Sequence, residues 1–172
     1  KNFNFSEKLS RLFSRRSTDN SSNETDEIQK NKISTESHGM FNLRRLCVED
    51  VAIPKAEIVS VSADIKKSEL VSIFRESGLT RLPVFEGTLD NPIGMVHLKD
   101  FTLRYAFASK NTFKIKDILR PLLYVPASMT IGVLLTKMQS DRRHLALVID
   151  EYGGVDGLVT IEDLIEQVIG EI

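Results

Sequence analysis

The chain has no tryptophan, one cysteine, three histidines and a formal net charge of only −1. Each shortage closes a class. Cys47, alone, can form neither an intrachain disulfide nor a thiolate metal cage, and a reducing compartment is the simplest reading. A near-zero net charge gives no summed field favouring nucleic acid or an acidic partner. No apolar run approaches the roughly 18 residues of a membrane-spanning helix, and the N-terminus lacks the apolar core of a secretion signal. No G-x-S-x-G, H-E-x-x-H or complete phosphate loop occurs, so the sequence assigns no catalytic residue and no metal site. The chain starts at Lys1 without a Met and stops inside an apolar pattern at Ile172. The expectation is a piece of something longer.

What is present is globular in balance: 41% hydrophobic and 27% charged over 172 residues, enough for one ordinary domain or two small ones. Residues 1 to about 16 place Phe3, Phe5, Leu9, Leu12 and Phe13 among Lys1, Lys8, Arg11, Arg15 and Arg16. This is a leader that reads either as a short basic amphipathic helix for an anionic membrane surface or as weakly ordered chain. Ser17 to Gly39 is rich in Ser, Asn, Thr, Asp and Glu, a tether unable to bury much surface. From Met40 the chain turns apolar and periodic.

That apolar part repeats itself. Val61-Ser62-Ala63-Asp64 aligns with Val125-Pro126-Ala127-Ser128, and Leu82-Pro83-Val84-Phe85-Glu86 with Ala146-Leu147-Val148-Ile149-Asp150. After one deleted residue, Gly94-Met95-Val96-His97-Leu98-Lys99-Asp100-Phe101 aligns with Gly157-Leu158-Val159-Thr160-Ile161-Glu162-Asp163-Leu164. The lead-in segments agree too: Val48-Glu49-Asp50-Val51 and Pro54 correspond to Ile115-Lys116-Asp117-Ile118 and Pro121. Each copy reads as β-α-β-β-α. A strand over 58–61 or 122–125 runs into a helix capped by Asp64 or Ser128; the first helix ends at Gly78, a residue suited to a left-handed terminus. Two strands follow, over 82–86 and 93–96, or over 145–150 and 157–159. The closing helix of the second copy carries Ile161, Leu164, Ile165, Val168 and Ile169 at helical spacing. So small a unit has a thin core, so the copies are expected to bury sheets or helices against each other, leaving clefts between them. The predicted organisation is a leader and tether over 1–41, one copy over 42–110 and a second over 111–172.

Gly94-x-x-x-x-x-Asp100 and Gly157-Leu158-Val159-Thr160-Ile161-Glu162-Asp163, each after an apolar strand ending in an acid, resemble the motifs of a tandem pair of CBS domains. The finer resemblance is to the CorC/HlyC family of magnesium and cobalt efflux or hemolysin-like proteins. It rests on residues 144–155, on 157–166 and on the ending Val168-Ile169-Gly170-Glu171-Ile172. Val51-Ala52-Ile53-Pro54-Lys55 departs from that family's I-M-x-P-R by Ala for Met and Lys for Arg. The resemblance implies an α/β (α+β) fold of two pseudo-twofold-related repeats, and a C-terminal transporter-associated domain that this sequence lacks. It also implies a regulatory, non-enzymatic role, a homodimer, and a cytoplasmic location that extends to the inner membrane face through a transporter partner or the leader.

It further implies an adenosyl ligand between the copies: AMP, ADP, ATP, with or without Mg2+, or S-adenosylmethionine. Carried onto this sequence, Asp163 would hold the ribose; Thr160 and Arg81 the phosphate; Thr80 and His144 stand on the rim; Ile58, Val59 and Ile161 flank the base. A second, weaker cleft lies at Asp100, His97 and Leu98, weaker because His97 replaces a hydroxyl and because Leu145 stands where the first copy has Arg81; Asp100 keeps its place although His97 is a poor helix cap, which points to another use for that acid. Plainer readings stand beside these. Thr160-x-x-Asp163 is also a capping box. Arg81 also reads as a solvated cation, and His97 and His144 as structural residues. Glu151-Tyr152-Gly153-Gly154 lacks the Lys and Ser/Thr of a phosphate loop and reads as a strand turn. The alternative function is a ligand-independent dimerisation scaffold.

Overall fold

The computed structural model describes residue 39, residues 41–106 and residues 113–169. The basic leader and all but the end of the tether lie outside them, as do the last three residues.

After a helical stretch over residues 41–45 come a lead-in 3-10 turn (Val48–Asp50) and a short strand β1 (Ile53–Pro54). After a second 3-10 turn, Lys55–Glu57, follow β2 (Val61–Ser62), α1 (Lys67–Ser77), β3 (Arg81–Phe85), β4 (Pro92–His97) and α2 (Leu98–Phe101). A π-type turn, Thr102–Ala106, widens the end of α2. The order then recurs: a 3-10 turn Ile115–Ile118, β5 (Leu119–Arg120), β6 (Leu123–Pro126), α3 (Ile131–Asp141), β7 (Leu145–Ile149), β8 (Val155–Thr160) and α4 (Ile161–Ile169).

The internal repeat is reproduced down to register. Val61 pairs with Val84 in parallel, and Val125 with Val148. Leu82 faces Val96 antiparallel, and Ala146 faces Val159. Both hairpins slip register at the same place, after Val84 and after Val148. The sheets, however, are not built from one copy each. Their orders are β2-β3-β4-β5 and β1-β8-β7-β6, so each lead-in strand crosses to the other copy's sheet. This exchange explains the motif glycines sterically. A Cβ on Gly157 would stand 2.8 Å from the Ile53 carbonyl oxygen, and one on Gly94 would stand 3.0 Å from Leu119 Cβ. Each glycine lets the exchanged strand pass at backbone distance.

Three apolar layers follow from strands buried on both faces, which is why β3 and β7 read as unbroken apolar runs rather than alternating ones. Leu82, Val84 and Val96 pack with Leu70 and Phe74 of α1 and with Phe101. Ala146, Val148 and Val159 pack with Ile131, Leu134 and Met138 of α3 and Leu164 of α4. Between the two sheets, Phe85 and Met95 meet Leu145, Leu147, Val155 and Leu158. The copies thus bury sheet against sheet.

Several local expectations shift. The strand expected over 58–61 is confined to Val61–Ser62, because residues 55–57 wind into a 3-10 turn. Asp64 and Ser128 are not the caps: the helices start two residues later, with Lys66 and Thr130 at the N-cap. Turns intervene, closed by Ile65 N–H to Ser62 O at 3.2 Å and Met129 N–H to Pro126 O at 3.2 Å. In α1 the job falls to Glu69, whose Oε2 accepts from Lys66 N–H at 3.4 Å. Gly78 ends α1 in the left-handed region, φ 68°, as expected. The strand-turn reading of residues 151–154 holds: Asp150 Oδ1 accepts from Tyr152 N–H at 2.9 Å and Gly154 N–H at 2.7 Å.

Candidate functional site

Thr160 ends β8 and Asp163 lies in the first turn of α4. Asp163 Oδ2 accepts from Thr160 N–H at 2.8 Å and from Thr160 Oγ1 at 2.7 Å, while Asp163 N–H donates back to Thr160 Oγ1 at 3.3 Å. This is a reciprocal capping box that satisfies donors at the helix start.

The first copy does the same job differently. His97 does cap α2: its Nδ1 accepts from Lys99 N–H at 3.0 Å, which corrects the expectation that it is a poor cap. The bond needs an unprotonated Nδ1. Burial, and then the charges of Arg81 and Arg120, hold His97 below its ordinary 6.5, so the neutral ring is favoured. With His97 capping, Asp100 is free to serve elsewhere. Arg120, on exchanged strand β5, grips it with Nε to Oδ2 at 2.5 Å and Nη2 to Oδ1 at 2.8 Å. Those bonds hold the Asp100 carboxyl below, and the Arg120 guanidinium above, their ordinary values. The acid of the second, weaker cleft is therefore engaged at both oxygens by a fork-shaped cation.

Thr80 and His144 are equivalent in the repeat and do equivalent backbone work. Thr80 O accepts from Leu98 N–H at 2.9 Å, and His144 O accepts from Ile161 N–H at 3.0 Å. Leu98 and Ile161 are half-buried against the two helix-facing cores. Arg81 reaches across the copies: its Nη1 lies 3.4 Å from Glu162 Oε1 and 3.4 Å from Thr80 Oγ1. A residue of the first copy thus touches the turn that carries Asp163. Ile58 is half-buried at the edge of the layer between the sheets, and Val59 is exposed.

A cavity of about 230 Å³ opens between the copies. Arg81 and His144, assigned from sequence to the Asp163 cleft, line it together with His97 of the other cleft. Lys99, Arg120, Arg142 and Arg143 complete its charged wall. Sequence reasoning missed these four. The repeat alignment held a signal, since Arg142-Arg143-His144 replaces Gly78-Leu79-Thr80, but their convergence with Arg120 depends on the strand exchange. A shallower hollow of about 480 Å³ lies on the other side of the Asp100–Arg120 pair, beside Leu103, Arg104 and Asp117. Among the described residues, no group of three or more His, Cys, Asp or Glu could hold a metal ion, and no helix is long and apolar enough to cross a membrane.

The model of the CBS domain family matches residues 48–106 and 115–170. A possible hemolysin C of Rickettsia akari is 42% identical over 134 residues, 77% of this chain and 44% of that protein. The chain spans less than half the length of the curated relatives it matches. Among solved structures, the CBS domain of a bacterial CNNM/CorC family Mg2+ transporter in complex with ATP superimposes with a TM-score of 0.76 at 30% identity, covering 82% of this chain and 99% of that one. A CBS-domain pair with bound AMP from Klebsiella pneumoniae gives a TM-score of 0.65 at 27% identity, covering 73% and 100%.

Proposed function

The chain belongs to the CBS domain family, as a tandem pair related to hemolysin C homologues and to CBS domains of CNNM/CorC family Mg2+ transporters, and on that premise we propose that it is a regulatory module binding an adenine nucleotide between its two copies. The observation that carries this reading is the reach of Arg81, from the first copy, to the α4 turn of the second. A cation of one copy then stands beside the helix turn that carries the other copy's carboxylate Asp163, the pairing that a nucleotide's phosphate and ribose call for. Asp163 takes the ribose hydroxyls; Thr160 and Arg81 take the phosphate, with Thr80 and His144 on the rim; Ile58, Val59 and Ile161 flank the base. AMP, ADP or ATP, with or without Mg2+, fits that arrangement, and solved relatives with ATP and with AMP support it. Asp100, His97 and Leu98 form a poorer nucleoside site, because Arg120 occupies the acid.

The role is binding, not catalysis. Occupancy favours one relative setting of the two copies, and any domain or membrane partner attached to them reads that setting. On this reading the module works at the cytoplasmic face, as a homodimer, in a protein linked to magnesium or cobalt efflux. The scaffold alternative has one observation in its favour: Ile165 and Ile169 stand exposed on α4, an apolar stripe suited to a second copy.

Isothermal titration of the 172-residue chain with AMP, ADP, ATP and S-adenosylmethionine, each with and without Mg2+, tests the reading. Asp163→Asn is the informative variant, since its amide oxygen still accepts from Thr160 while the second ribose acceptor is lost. Saturable binding, weakened at least about tenfold by Asp163→Asn, is expected. Heat-silent titrations with all four ligands and an unshifted melting temperature would hand the function to the scaffold.

A further inference from the structure

The two copies dock their lead-in segments differently. In the second copy, residues 46–49 lie against the turn before α3. Val48 N–H donates to Met129 O at 2.8 Å, Glu49 N–H to Ala127 O at 3.1 Å, and Ile131 N–H to Leu46 O at 3.0 Å. Cys47 and Thr130 face each other there in an antiparallel bridge. In the first copy the repeat sets Ile115, Lys116 and Phe113 opposite Ile65, Ala63 and Lys67, and none of the three corresponding bonds forms between these described residues. A cavity of about 300 Å³ stands in their place, with Ala63, Asp64 and Ile65 on one side and Phe113, Ile115 and Lys116 on the other. The flanking turns themselves are alike. Asp117 N–H closes on Lys114 O as Asp50 N–H closes on Cys47 O, and Ile65 N–H on Ser62 O as Met129 N–H on Pro126 O. Only the seam between them is open.

Two features hold it open. Where Cys47 meets Thr130, the first copy has Lys114 and Lys66, and like charges directly opposite each other repel. The other feature is Tyr105, in the π-type turn that follows α2. Its buried ring meets Phe113 edge-on with centroids 5.1 Å apart. Its hydroxyl donates to Lys114 O at 3.0 Å and accepts from Lys114 N–H at 3.4 Å. The phenol thus takes up both backbone groups of Lys114, the residue in the bridge position, and ties it to the end of α2. The repeat-equivalent of Tyr105 is Val168, which has neither ring nor hydroxyl. A π-type turn is poorer in regular hydrogen bonding than an α-helix and is frequent where a helix serves a function; this one delivers Tyr105.

We propose that the seam between residues 63–67 and 113–116 is a two-state joint, latched open by Tyr105 and by the Lys66–Lys114 repulsion, whose closed form is the arrangement seen in the second copy. The turn Ile115–Ile118 runs directly into β5, whose Arg120 holds Asp100 of α2. Tyr105 stands just beyond that same helix. Closing therefore shifts the strand exchanged between the copies, and it needs no ligand in the joint.

Amide hydrogen exchange on the 172-residue chain, read residue by residue by NMR, is the test. In the wild type, Ile115 and Lys116 are expected to be protected at least about tenfold less than their equivalents Val48 and Glu49. Tyr105→Phe removes the latch and keeps the ring. Lys66→Thr with Lys114→Ser gives the seam an uncharged pair like that of the second copy. Each change is expected to raise protection of Ile115 and Lys116 at least about fivefold, and the combined variant further, with Val48 and Glu49 unmoved. Loss of global stability lowers protection of all four amides together, so it reads differently from closing. Lys66 and Lys114 are exposed, so their replacement keeps the fold and carries the test if Tyr105→Phe is destabilised. Wild-type Ile115 and Lys116 as protected as Val48 and Glu49 would mean that the seam is already shut. Protection unchanged in both the lysine variant and the combined variant would mean a cavity without a second state. Either result overturns the proposal.

Discussion

At the scale of single residues, a one-position difference between the copies sets the chemistry of each cleft. Where Thr160 caps with a hydroxyl and leans on Asp163, His97 caps with a ring nitrogen and releases Asp100 to Arg120. The neutrality of His97 has a pH consequence. Its folded value lies below the ordinary one, through burial first and the charges of Arg81 and Arg120 second. Between the unfolded value of about 6.5 and the lower folded value, the unfolded chain binds more protons, so stability falls as pH drops through that window. His97→Asn keeps a cap acceptor and removes the titration. Melting temperatures of wild type and His97→Asn, compared from pH 7.5 down to 5, should diverge: the wild type should lose more stability below about 6.5. Parallel curves would mean that His97 is not the group responsible.

At the scale of elements, the reciprocal strands β1 and β5 decide how tightly the copies are joined. Each is only two residues long, too short to hold by its own pairing, and its place depends on a glycine in the strand beneath. Gly157→Ala pushes a methyl to 2.8 Å from Ile53 O, which requires backbone movement. Chemical denaturation should show a loss of about 1–3 kcal/mol for this change. Gly94→Ala, at φ 159° with Leu119 Cβ at 3.0 Å and the Arg120 carbonyl oxygen at 3.1 Å, should cost a comparable amount. Equal and negligible losses would show that the exchanged strands peel away freely. Helix ends follow the same local logic: Gly78 closes α1 without strain, whereas α3 closes on Arg142.

At the scale of the molecule, the two copies form one cooperative body, since each sheet contains a strand from the other copy and the layer between them is apolar. Leu147, fully buried there with Phe85 and Met95, is the residue whose loss is felt by both. Leu147→Ala should cost about 2–5 kcal/mol and still unfold in a single transition by calorimetry. Two resolved transitions in that variant would mean that the copies fold independently and merely touch. Lys55 and Asp90 add a polar clasp at the rim: Asp90 Oδ1 accepts from Lys55 Nζ at 2.6 Å and from Val155 N–H at 3.0 Å. The clasp is solvent-exposed, so its share is small beside that of the apolar layer.

The sequence by itself determined the repeat, the order of elements, the helix faces and the Gly78 terminus. All of these are encoded within a few residues, by periodicity, by turn chemistry and by the alignment of one copy on the other. The motif residues Asp100, Asp163, Thr160 and Arg81 were legible through the resemblance of their motifs to those of paired CBS domains. The exact helix starts were not, because Asp64 and Ser128 satisfy a local cap pattern that the turns at 62–65 and 126–129 override. Only the tertiary structure decided that β1 and β5 change sheets, that Arg120 occupies Asp100, and that Arg81, Lys99, Arg142 and Arg143 surround one cavity. Those facts join residues as far as about 105 positions apart, as in the Ile53–Leu158 pair. Local propensity carries no information about such meetings; burial of two opposed sheets, and the single register that permits it, does.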